Sequence, residues 1–222
     1  TYVWQRKVQE DRLRSLMNFE SLFITEKEPF KGKSERDKFL SRVFGIFSER
    51  IVEIWCQNPK APFSNIGRPT IYYDEEGNYC TLDFLLKDEK GELFVTEMKC
   101  EIEYQRYKFF TLSDPEQLAH HNKNAFDKFL QLGQDPNQYT VKVKGEEKPC
   151  IKGIALIWGR VIQEKKHLIS SEYNINHILC LESITNDLLN WDDSNYKSFI
   201  KDRTTWTEEL FNGLTNRAAK EE

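Results

Sequence analysis

The chain is short of several features that would fix its class at once. It has no run of about 18 apolar residues, so no membrane-spanning helix is expected. The first residues, Thr1 to Lys7, hold no apolar signal core. Its five cysteines, Cys56, Cys80, Cys100, Cys150 and Cys180, are odd in number and widely separated. None stands in a C-x-x-C or C-x-x-H spacing, which gives no zinc site and points to reduced thiols in a cytoplasmic protein. Positive charge is not in excess either. Against 36 Asp and Glu there are 32 Lys and Arg, a net charge of -4. That balance argues against a generic basic coat for nucleic acid, though a local basic patch on an acidic body can still grip a polyanion. Internal repeats and low-complexity tracts are missing too.

What is present is a globular composition. Of 222 residues, 39% are hydrophobic and 13% aromatic, including 15 Phe and 9 Tyr, enough to fill a sizeable core. We read a single domain over 1-222, divided into an N-terminal helix and loop (1-33), a core (34-182) and a C-terminal helical extension (183-222).

The stretch from Thr81 to Leu86, a charged turn from Lys87 to Gly91, and the stretch from Glu92 to Lys99 read as a β-hairpin. Alternation puts Thr81, Asp83 and Leu85 on one face of the first strand, and Leu93, Val95, Glu97 and Lys99 on one face of the second. If these faces coincide, two carboxylates and an ammonium meet at one point. Two carboxylates suit Mg²⁺, which prefers oxygen ligands and keeps waters for a substrate phosphate to replace. Lys99 is placed to orient an attacking water or stabilise developing negative charge. Met98 is expected on the opposite, packed face. The alternative is an exposed ion-pair cluster of Asp83, Glu97 and Lys99, which contributes little stability.

Asp83, thirteen intervening residues (84 to 96) and then Glu97-Met98-Lys99 resembles the PD-(D/E)XK nuclease superfamily, with Leu82 standing where the motif has Pro. The resemblance implies a restriction-endonuclease-like α/β core, a mixed central sheet flanked by helices, with extra helices at both ends here. It implies Asp83 and Glu97 as ligands of Mg²⁺, with Mn²⁺ as the substitute ion, and Lys99 as the third catalytic residue. It also implies DNA as the partner, phosphodiester hydrolysis as the reaction, and a homodimer as the usual arrangement for cutting both strands. A nuclease-like fold that binds nucleic acid or protein without cutting is the rival. Members of the superfamily sometimes add a Glu from the preceding helix, for which Glu49 and Glu53 are the candidates. On the helical wheel both lie off the apolar stripe, Glu53 closer to its edge. RecB-like members place a Gln on the following helix with a Tyr four residues later; Gln117 is present, but His121 stands where the Tyr belongs.

Along the remainder, helical spacing is read from Trp4 to Phe23 and again from Ser34, where Leu40, Val43, Phe44, Phe47, Ile51, Ile54 and Trp55 form a stripe. Asn58 to Pro69 reads as a loop carrying Lys60 and Arg68, and Thr70 to Tyr73 as the first strand. In 104-110 aromatics interleave with Arg106 and Lys108, which suits either base stacking or a buried strand. A helix is expected from Ser113 to Gly133, with His120 and His121 as surface or phosphate-contacting residues, not catalysts. A basic hairpin is expected over 139-148, buried strands over Ile151 to Trp158 and Ile175 to Leu181, a short helix over Val161 to Lys166, and helices from Asn186 onward.

Overall fold

The computed structural model describes residues 35-100, 111-119, 124-148 and 150-215. The expected helix over Trp4 to Phe23, the aromatic and basic segment 104-110, His120 and His121 lie outside them. So does the C-terminal tail from 216.

Helix α1 (Glu35–Gln57) realises the first strong stripe. Ile51, Ile54 and Trp55 are buried and Phe44 and Phe47 partly so, while Ile46 on the other side is exposed. Strand β1 (Phe63–Gly67) follows inside the segment read as a loop, which is a correction. Its Pro and Gly flanks hid a five-residue edge strand. The chain then leaves for a second sheet through β2 (Pro69–Tyr72) and β3 (Tyr79–Thr81), and returns as β4 (Phe84–Asp88) and β5 (Leu93–Lys99). Thr70 to Tyr73 is therefore a strand of the second sheet, not the first strand of the one that carries Glu97.

After β5 come β6 (Thr111–Leu112), α2 (Glu116–Ala119) and α3 (Asn124–Gln134). The hairpin β7 (Thr140–Val143) and β8 (Glu146–Glu147) turns at Lys144 and Gly145, both with positive φ as a two-residue hairpin turn demands. Then β9 (Ile151–Trp158), β10 (Arg160–Val161), α4 (Gln163–Tyr173), β11 (Ile175–Cys180), α5 (Leu181–Asn190) and α6 (Ser194–Thr215) complete the described chain. Helix α4 starts and ends later than the expected 161-166. No helix among the described residues is long and apolar enough to cross a membrane.

The main sheet has the order β1-β4-β5-β9-β11. Strands β1, β4 and β5 pair antiparallel, and β5, β9 and β11 pair parallel. The protein is thus mixed α/β, with a mixed central sheet between two helical layers. Parallel neighbours need long crossovers; α3 and α4 lie in them and cover one face, while α1, before the first strand, and α5, after the last, cover the other. Strand β9 lies between β5 and β11 and is buried at every residue except Lys152. Against one face Phe126, Phe129 and Leu132 of α3 and Ile169 of α4 pack on Leu85, Val95, Ile154 and Leu156. Against the other, Ile51 and Trp55 of α1 and Ile184 and Leu188 of α5 pack on Phe84, Leu86, Phe94, Met98 and Ile157. Each such fully buried side chain contributes about 1.5–3 kcal/mol.

Helix α6 packs on α1 through Phe47 and Phe199, with ring centroids 6.0 Å apart. Asp193 caps α6, taking the Tyr196 N–H at 2.8 Å on one oxygen and the Asn58 side-chain amide at 2.7 Å on the other. Trp55 Nε1 donates to Asp187 at 3.0 Å, so the end of α1 is tied to the helical layer beside it.

Gly133 does not end its helix as the sequence suggested; α3 continues to Gln134. It is buried where α3 meets β9 and α4. A Cβ there would lie 2.6 Å from both the Tyr173 carbonyl oxygen and Ile154 Cδ1. A backbone carbonyl cannot swing aside, so the overpacking outweighs the helix preference for Ala. Gly133→Ala is expected to lower stability by about 1–3 kcal/mol, read as a lower urea midpoint with an unchanged slope.

Candidate metal-binding site at the bend of a hairpin

Strands β1 and β2 run as one arm, and β3 and β4 as the other, of a single long hairpin bent between two sheets. Gly67 paired with Leu85 is the last step in the main sheet, and Thr70 paired with Thr81 opens the second. Gly67, at φ +135°, makes the first bend. A Cβ there would stand 2.8 Å from Val143 Cγ1. Leu82 and Asp83 make the second bend, with the Leu82 N–H bonded to the Pro69 carbonyl at 3.0 Å. Asp83 therefore sits at the bend leading into β4, not within a strand as the sequence suggested. Arg68 lies at the matching point of the other arm.

The β4–β5 register pairs Phe84 with Thr96 and Leu85 with Val95, and one step further sets Asp83 opposite Glu97. Asp83 Oδ2 accepts the Met98 backbone N–H at 2.8 Å, which locks the carboxylate beside the end of β5. Alternation sends Met98 into the α1 side of the sheet, as expected, and Glu97 and Lys99 to the α3 side. Lys99 Nζ donates to Glu97 Oε1 at 2.5 Å and stands 5.4 Å from the centre of the Phe126 ring.

These side chains are far more enclosed than an exposed cluster. Glu97 and Lys99 have side chains 9% and 12% exposed, and Asp83 14%. Burial pushes the Glu97 carboxyl up to about 7; the Lys99 ammonium pulls against this, and Asp83 adds to it by repulsion and by accepting a hydrogen bond from the protonated acid.

A second ring of charge surrounds them. Arg68 reaches Asp83 Oδ1 at 3.3 Å and Glu49 Oε2 at 3.7 Å. Burial and then the Asp83 charge raise the Glu49 carboxyl, while Arg68 opposes the rise. Of the two α1 acids it is Glu49 that faces the site. Glu53 pairs with Arg50 at 2.6 Å, on an exposed part of the helix. The wheel misjudged them because Ser48 and Val52 are also buried. Their burial widens the packed arc until Glu49 lies only about 60° beyond Val52, at 3.6 residues per turn.

Gln117 is spent elsewhere. Its Oε1 accepts the N–H groups of Ser113 and Asp114 at 2.6 and 2.8 Å, and its Nε2 donates to the Thr111 carbonyl at 3.2 Å. It organises the entry to α2. The hairpin lysines are engaged too: Lys142 lies 4.7 Å from the centre of the Tyr72 ring, and Lys148 pairs with Glu146.

Among the described residues no three Asp, Glu, His or Cys side chains are grouped to enclose an ion. The donor set at the bend is two carboxylates, hard oxygen ligands, and it suits an ion that keeps water in its remaining positions.

The charges around Glu97 make a direct test. Lys99→Met is expected to move the Glu97 titration above about 7, and Asp83→Asn to move it below, followed by the carboxyl ¹³C shift. If neither substitution moves the midpoint, the three groups do not share one electrostatic site. The same shift sets a sign for stability. A carboxyl raised from 4.5 to about 7 favours the fold while neutral, below about 4.5, and that contribution is lost as pH rises to about 7.

Compared with known proteins, the chain matches no family model, no curated protein and no solved structure.

Proposed function

We propose that the chain is a Mg²⁺-dependent nuclease of the PD-(D/E)XK, restriction-endonuclease-like kind, hydrolysing DNA phosphodiesters at Asp83, Glu97 and Lys99. The observation that carries this reading is the convergence of the three side chains, two acids and an ammonium, in one enclosed corner of the sheet. An enclosed Glu97 with a raised pKa also favours function over decoration, since perturbed carboxyls concentrate at working sites. The order of elements supports it as well. Within the main sheet the chain runs helix α1, then strands β1, β4 and β5, the helix, strand, strand, strand order of that superfamily.

Asp83 and Glu97 hold the ion in this proposal, with Mn²⁺ as a substitute for Mg²⁺. When bound, the ion lowers the pKa of a coordinated water and neutralises charge on the phosphoryl oxygens. The Met98 N–H keeps Asp83 turned toward β5. Glu97 must be ionised to serve as a ligand, and the Lys99 ammonium favours that form. Lys99, held by Glu97 and the Phe126 ring, presents its remaining N–H bonds to the attacking water or to a phosphate oxygen. Glu49 adds negative charge at the rim.

Plasmid, linear and branched DNA incubated with the protein in Mg²⁺, with products sized on gels, are expected to show cleavage. Asp83→Asn, Glu97→Gln and Lys99→Ala are each expected to reduce it by about 10²-fold or more while leaving the circular dichroism spectrum unchanged. Variants that all cut like the parent end the assignment of the site. A parent that binds Mg²⁺ and DNA but never cuts points to a binding module on the same fold.

A further inference from the structure

Among the described residues, two cations pair with the acids at the bend, and they differ in kind. Lys99 is enclosed and pairs with Glu97, whereas Arg68 keeps 59% of its side chain exposed. Arg68 touches Asp83 through Oδ1. The other oxygen, Oδ2, is committed to the Met98 N–H. Oδ1 is thus the oxygen of Asp83 that the backbone donor leaves, and the guanidinium already holds it. The same guanidinium faces Glu49 at 3.7 Å, so one flexible side chain bridges two carboxylates from separate elements, α1 and the bend.

We propose that Arg68 is a displaceable counter-cation, neutralising Asp83 and Glu49 until a divalent ion takes Asp83, and therefore competing with that ion. The inference rests on the metal site proposed above. An ion pair whose long, flexible partner is mostly in solvent opens more easily than an enclosed one, which is what a replaceable partner requires. Enclosed pairs do not exchange so readily, and Lys99 stays with Glu97. Without Arg68, the ammonium of Lys99 is what Glu49, Asp83 and Glu97 face among the described residues. Their mutual repulsion is then relieved more by a divalent ion than it is in the parent, so the ion binds more tightly.

Calorimetric titration of Mg²⁺ and of Mn²⁺ into the parent, Arg68→Gln and Arg68→Lys tests this without reference to cleavage. Arg68→Gln is expected to bind the ion on the order of fivefold tighter, with Arg68→Lys close to the parent. Saturating ion is also expected to raise the Tm of Arg68→Gln more than that of the parent. Arg68 is exposed, and unchanged circular dichroism confirms that the variants fold. Equal or weaker binding in Arg68→Gln, with the ion bound by the parent, overturns the counter-cation and leaves the metal site standing. Tightening reproduced by Arg68→Lys overturns competition by charge. An ion that binds neither the parent nor any variant overturns both the inference and the metal site beneath it.

Discussion

The hydrogen bond from the Met98 N–H to Asp83 fixes the geometry on which the rest of the site depends. It joins the end of β5 to the point where the long hairpin leaves one sheet for another. A carboxylate on a solvated bend ordinarily samples several rotamers. Here one oxygen is taken by a backbone donor that belongs to the strand carrying Glu97 and Lys99. The bend itself is enforced from both arms, by the open backbone of Gly67 and by the Leu82 to Pro69 hydrogen bond. Sheet pairing then does what side-chain packing alone cannot, holding the acid at the bend opposite the acid on β5.

Placing such a group at the end of a buried strand has a cost, and the surroundings show how it is met. Along β5, Leu93 and Val95 face the α3 core before Glu97 and Lys99 continue the same face. The two charges end the apolar row as a hydrogen-bonded pair, with the Phe126 ring beside the ammonium. Glu97 remains reluctant to ionise, because burial removes more than Lys99 returns. An acid kept in that condition gains most from any further positive charge brought to it.

Much of this was legible from period-two alternation. The faces assigned to Val95, Glu97, Lys99 and Met98 hold, as do β9, β11 and the β7–β8 hairpin. What escaped the sequence has physical causes. β1 is an edge strand bracketed by turn formers, so local composition spoke for a loop. Asp83 was read into a continuous strand because nothing local marks a change of sheet at Leu82. Glu49 was named beside Glu53 but set farther from the stripe, because Ser48, a small polar residue that is buried with its hydroxyl bonded to the Gly45 carbonyl, did not count toward the packed face. Gln117 stands where the RecB-like pattern has a Gln but spends its polar atoms on its own loop.

The bent hairpin also separates what must be conserved in shape from what is free to change. Everything that positions the acids lies at or below the bend, whereas Asp74 to Asn78 form an exposed tip at the far end of β2 and β3. The tip is closed by its own bonds, from the Asn78 backbone and side chain to Asp74. Insertions there can lengthen the small sheet into a reaching arm, changing what the protein touches without disturbing the corner where Asp83 meets β5.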